Sequence, residues 1–172
     1  AVGTAFLQLG QLMGLKMYGT ASASQKAYIE SFGGIFIDYK NQDFLQVIKQ
    51  NEPGGIDAVF DPMGGDYFPR SLKTLKKEGT LVGFGFQNAA SGKGGNKYID
   101  FIKIMIWDLL PTKPNSKFYL IGDWHKKQHE FFKQDLATLF ELLKQGKINP
   151  NVFKRMPLKD AKEAHRMIEN GE

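Results

Sequence analysis

Apolar residues at Ala5, Phe6, Leu9, Leu12 and Met13 repeat at the spacing of a helix that packs on a sheet, and this rhythm opens an alternation that runs through most of the chain. LKMYGT reads as a short strand and SQKAYIESF as a helix stopped by Gly33 and Gly34. IFIDY is the next strand, and NQDFLQVIKQ a helix with Asn41 as its N-cap. GIDAVFD is apolar on both faces at Ala58, Val59 and Phe60, which predicts a strand buried on both sides, as in a parallel sheet. PRSLKTLK then reads as a helix, GTLVGFG as a strand, and Gln87 to Lys97, rich in Gly, Asn and Ser, as a mobile loop.

From Tyr98 a helix runs to near Pro111, followed by KFYLIG as a strand and an amphipathic helix from about Trp124 to Gln145 that Gly146 stops. NVFKRM is extended, and PLKDAKEAHRMIEN is a last helix with Pro157 in its first turn. Alternating strands and helices predict an α/β fold, a doubly wound parallel sheet with right-handed crossovers.

Composition narrows the function classes. The 172 residues, 42% of them hydrophobic, suffice for one domain with its own core. No cysteine is present, which excludes disulfides and thiolate zinc sites within the chain and suits a reducing compartment, so a cytoplasmic location is expected, with peripheral membrane association as the alternative. The net charge of +5 is spread among acids, with no basic stripe of interleaved aromatics, so no nucleic-acid partner is expected. YIDFIKIMIWDLL is interrupted by Asp100, Lys103 and Asp108 and is shorter than the roughly 20 apolar residues of a membrane span.

Four segments could carry chemistry. Gly3 precedes the first helix, where a missing Cβ permits close packing and the helix N-terminus offers free N–H groups to a phosphate. In TASASQK, after the second predicted element, no acid occupies the place where NAD-binding folds hold a ribose 2'-hydroxyl. Ser22, Ser24 and Lys26 offer hydroxyls and a cation that suit a 2'-phosphate, and would equally serve as a serine N-cap beside a solvated lysine. FDPMGG and GFGF end two strands, where ligands of open α/β sheets bind, so Asp61, Pro62, Met63, Phe84 and Gly85 would face a cofactor; an ordinary turn and core aromatics are the alternatives. His125 and His129 stand four apart without a third ligand, His165 lies on a polar face, and no nucleophile motif occurs.

VGTAFLQLGQLMG, GTASASQKA, IDYK, GGIDAVFDPMGGD, SLKTLKKEGTLVGFG and PLKDAKEAHRMIENGE together resemble the cofactor half of the zinc-free quinone oxidoreductases, a branch of the medium-chain dehydrogenases, with GTASAS, IDY and DPMGG most similar to its VAT-1-like members. The resemblance implies that residues 1–147 form a Rossmann-like domain truncated at its first strand, and that residues 148–172 begin the return to a GroES-like catalytic domain, before a closing strand. It implies NADPH as the cofactor, with Val2 and Gly3 at the pyrophosphate, Ser22, Lys26 and Tyr39 at the 2'-phosphate and adenine end, and Pro62, Met63, Phe84 and Gly85 at the nicotinamide. No catalytic residue and no metal ligand is assigned within the chain. The implied reaction is hydride transfer to a quinone or enone, in a homodimer paired through Lys117 to Gly122. The rival is a nucleotide-binding scaffold or membrane-associated adaptor of the VAT-1 type without catalysis.

Overall fold

The computed structural model describes residues 2–92, 94–110 and 115–170. In chain order the elements are α1 (Val2–Leu12), β1 (Tyr18–Ala21), α2 (Lys26–Ser31), β2 (Ile35–Asp38), α3 (Phe44–Asn51), β3 (Ile56–Asp61), α4 (Tyr67–Leu72) and β4 (Leu75–Gly83). They continue as α5 (Gln87–Ala90), α6 (Lys97–Asp108), β5 (Asn115–Phe118), α7 (Ile121–Lys127), α8 (His129–Lys144) and α9 (Ala161–Asn170). Helices and strands alternate as predicted, and every strand pair is parallel.

The strands form two sheets among the described residues: β1 beside β2, and β3, β4, β5 in that order. Helix α1 touches both. Its Leu7 lies against Gly34 at the entry to β2, where a Cβ would stand 3.1 Å from Leu7 Cδ2. One residue earlier, Phe6 stacks on Phe60 of β3 with ring centroids 4.3 Å apart. The core sits on the three-stranded sheet, where Phe68 and Leu72 of α4, Leu81 of β4 and Ile104 of α6 are buried together. Gly83 is required there, since an added Cβ would meet Ile104, Phe118 and Phe68 within 3.0 Å.

Several details differ from the sequence expectations. Ala58 and Phe60, which share one face of β3, are exposed, while Val59 on the opposite face packs against the core. The N-cap of α3 is Asp43, whose carboxylate accepts from Leu45 N at 2.9 Å; Asn41 instead donates its side-chain amide to Asp38. Leu75, placed in a helix by its pattern, starts β4.

The loop after β4 contains the short helix α5. In KFYLIG only Lys117 and Phe118 belong to a strand, which begins at Asn115, and Ile121 and Gly122 are already helical. The long amphipathic helix is broken at Gln128, whose φ of −132° and ψ of 46° interrupt the ladder between α7 and α8. Pro111, the expected end of α6, lies outside the described residues.

Candidate cofactor-binding site

The carboxyl ends of β3 and β4 lie side by side: Asp61 is paired with Gly83, and Phe84 N donates to Asp61 O at 3.1 Å. Beyond this edge opens a cleft of about 810 Å³. Four of the residues predicted from sequence, Val2, Pro62, Phe84 and Gly85, line it. Gly85 is the place where a side chain is excluded, since a Cβ would stand 2.8 Å from the Pro62 carbonyl oxygen. The floor is therefore backbone against backbone, tied further by Gln87 N to Pro62 O and Asn88 N to Met63 O, each at 3.0 Å. The lining that sequence reasoning missed includes Gln87 and Ala89 on α5, and Asn96, Lys97 and Tyr98 at the start of α6. Their signal was available in the Asn96 cap, which accepts from Tyr98 N at 3.0 Å and starts a helix where a loop was expected to end.

Two predicted residues on this edge behave differently. Asp61 does not face the cleft. Its carboxylate is buried and accepts from Met63 N and Ser71 Oγ, both at 2.7 Å, and from Gly64 N at 3.4 Å. Burial pushes its pKa above the ordinary value, against the opposing pull of the Ser71 hydroxyl and the two amides. Met63, half-buried on the same turn, is not among the cleft-lining residues. The turn closes with Gly64 and Gly65 at φ of 71° and 59°, a left-handed pair that suits glycine.

At the other sheet, Ala21 and Asp38 end β1 and β2 as paired residues, so Ser22 and Tyr39 leave the same edge together, with Tyr39 N donating to Ala21 O at 3.4 Å. Ser22 Oγ and Ser24 Oγ are 3.0 Å apart. Ser22 occupies the N-cap position of the 3-10 turn Ala23–Gln25 without a side-chain capping bond, so its hydroxyl is not consumed by the helix. Lys26 is exposed, with Glu30 3.9 Å away. The Asp38 carboxylate is occupied locally, accepting from Lys40 N and Asn41 Nδ2.

Val2 and Gly3 form the first turn of α1 rather than a loop before it, and a Cβ on Gly3 would meet nothing within 4 Å among the described residues. The close approach on this helix falls at Gly10, against Met17. His125 and His129 pack edge to face at 4.9 Å, and among the described residues no group of three or more His, Asp or Glu is placed to hold a metal ion.

The family profile described as zinc-binding dehydrogenase matches residues 34–172, the greater part of the chain. The chain belongs to that family. Over 98% of its length it is 30% identical to quinone oxidoreductase 1 of Escherichia coli K12, covering 50% of that protein. It is 27% identical over 98% of its length to the synaptic vesicle membrane protein VAT-1 homolog of Danio rerio, covering 36% of it. Among solved structures, Escherichia coli quinone oxidoreductase complexed with NADPH superposes with a TM-score of 0.75 at 26% identity, over 99% of this chain and 51% of that one. The CurK enoyl reductase superposes with a TM-score of 0.78 at 23% identity, over 98% of this chain and 48% of that one, a likeness of fold. The chain thus spans between about a third and about half of the length of these relatives. Its Rossmann-like fold matches the cofactor-binding domain of the medium-chain dehydrogenases, and its relatives include quinone oxidoreductases. Among the described residues no helix is long and apolar enough to cross a membrane.

Proposed function

We propose that this chain is the NADPH-binding portion of an oxidoreductase that delivers hydride to a quinone or enone. The observation that carries the proposal is the pair of carboxyl-edge sites. One is a cleft whose floor excludes any side chain at Gly85; the other is a group of two serine hydroxyls and an exposed lysine whose nearest carboxylate, Glu30, stands 3.9 Å away one helical turn on.

The residues present fit the dinucleotide at both ends. Ser22, Ser24 and Lys26 would hold the 2'-phosphate through charge-assisted hydrogen bonds, with Tyr39 beside the adenine. Val2 and Gly3, in the first turn of α1, would direct their backbone N–H groups to the pyrophosphate. Pro62, Phe84 and Gly85 would frame the nicotinamide, with Met63 behind them on the turn that carries Pro62, where the backbone floor lets a planar ring approach and the Phe84 ring excludes water. When bound, the nicotinamide supplies the hydride, and the protein's share of the chemistry is orientation. Residues 1–147 would form this unit and residues 148–172 the start of the segment returning to a catalytic domain. A homodimer would pair through Lys117 to Gly122, beside the outer strand β5, and a cytoplasmic location fits the cysteine-free composition.

Titrating NADPH into the chain while following reduced-nicotinamide fluorescence tests the binding claim. Saturable enhancement supports it; none at millimolar cofactor overturns it. The chain alone should show no steady quinone-dependent NADPH oxidation, and turnover above a heat-treated control would contradict the proposed division of labour. For the dimer, light scattering coupled to size exclusion should give twice the chain mass at tens of micromolar. The rival reading, a non-catalytic nucleotide-binding scaffold, is favoured by the VAT-1 relatives and predicts cofactor binding with no turnover in any longer form of the protein.

A further inference from the structure

Asp100 takes no part in the site described above, yet it is only 2% exposed on a helix whose other face is open to solvent. It stands one turn before buried Ile104, on the side of α6 that enters the core. Its Oδ2 accepts from Gly65 N at 2.8 Å and lies 3.2 Å from where a Cβ on Gly95 would stand. Gly94 and Gly95 have φ of 108° and 89°, so two left-handed glycine pairs, 64–65 and 94–95, meet across one carboxylate. They touch directly, the Gly65 Cα being 3.3 Å from the Gly95 Cβ position. Lys103 Nζ, 4.0 Å from Oδ1, offsets the buried charge.

Each glycine pair leads straight into the cleft. Pro62 lies two residues before Gly64, and Asn96, Lys97 and Tyr98 follow Gly95 without interruption. We infer that Asp100 is a positioning residue for the cleft: its carboxylate ties the first turn of α6 to the turn after β3 and so sets where Asn96, Lys97 and Tyr98 stand relative to Pro62 and Gly85. The inference rests on reading the cleft as the nicotinamide end of a cofactor site. Its physical basis is that a buried N–H deprived of its acceptor is strongly unfavourable, so the Gly65 amide holds the carboxylate, and the helix carrying it, in place.

Hydrogen exchange on the cofactor-free chain, with NADPH titration in parallel, tests this. Asp100→Ala should speed exchange at Gly65 and across residues 94–98 by about tenfold or more, with a smaller change at Leu81 in the core. It should also weaken NADPH about fivefold or more. Asp100→Asn, which keeps an acceptor oxygen, should restore most of both. Gly95→Ala, which crowds the same carboxylate while leaving it present, should reproduce the local exchange increase even if Asp100→Ala does not fold. Unchanged exchange at Gly65 and 94–98, or an equal rise at Leu81, would overturn the tie; a local release that leaves NADPH affinity untouched would overturn its role in the cleft. Failure of the wild type to bind NADPH would sink the cofactor reading alone, with exchange still deciding the tie.

Discussion

At Gly85 the added methyl group of an alanine would press on the Pro62 carbonyl oxygen from 2.8 Å, and neither backbone can yield without disturbing the β3–β4 register. Gly85→Ala should therefore cost about 1–3 kcal/mol, read as a lower urea midpoint at unchanged slope, and should weaken cofactor binding as well. Asp61 makes its contribution through pH. Burial raises its folded pKa above the ordinary value of 3.8, so its neutral form favours the folded state. Its contribution is complete below 3.8 and is given up as pH rises through the elevated folded value. The stability of the wild type relative to Asp61→Asn should fall across that interval in acid denaturation series; a difference independent of pH would contradict the assignment. Sequence alone located Asp61 at the end of its strand but not the direction of its side chain, because that depends on Ser71, ten residues later on a helix, and on the turn amides. Asp100 was legible only as a charge interrupting an apolar run, although its spacing of four from Ile104 marks the inward face.

Among the elements, α3 shows how a local choice settles a boundary. Asn41 and Asp43 are both good caps, and the competition is decided by Asp38, which engages the Asn41 side chain, and by Arg70, whose Nη2 reaches Asp43 Oδ1 at 2.7 Å. Asp43→Ala should cost about 1 kcal/mol in thermal or urea unfolding, whereas Asn41→Ala should cost less. At β5 the apolar residues of KFYLIG predict a strand throughout, but Ile121 and Gly122 follow the helical period of Trp124 and His125 instead. Tyr119 N still donates inward to Gly83 O at 2.8 Å. Tyr119→Pro should consequently destabilise the chain by about 1–3 kcal/mol through loss of that ladder bond, whatever its oligomeric state. A proline there is a probe of the sheet, and the dimer is better tested by mass against concentration.

The whole molecule is ordered along one line: parallel strands end where glycines and short polar side chains gather, and helices leave from those ends. That alternation was readable because apolar runs of strand length and helical periodicities are local signals. The division into two sheets was not readable, since pairing between strands distant in sequence leaves no local trace, and α1, with Leu7 and Phe6 turned to different sheets, is what relates them. The cleft was half legible for the same reason: Pro62, Phe84 and Gly85 are announced by their motifs, while Gln87, Asn96 and Tyr98 reach it through packing.

Ser22, Ser24 and Lys26 together should select a 2'-phosphorylated dinucleotide over one with a free 2'-hydroxyl. Parallel fluorescence titrations of NADPH and NADH, with wild type and Lys26→Glu, address it most directly. The wild type should bind NADPH about tenfold or more tightly than NADH, the scale of a charge-assisted contact, and Lys26→Glu should abolish the preference without unfolding the chain. Equal affinities of the wild type for the two cofactors, or a preference that survives the charge reversal, would contradict it.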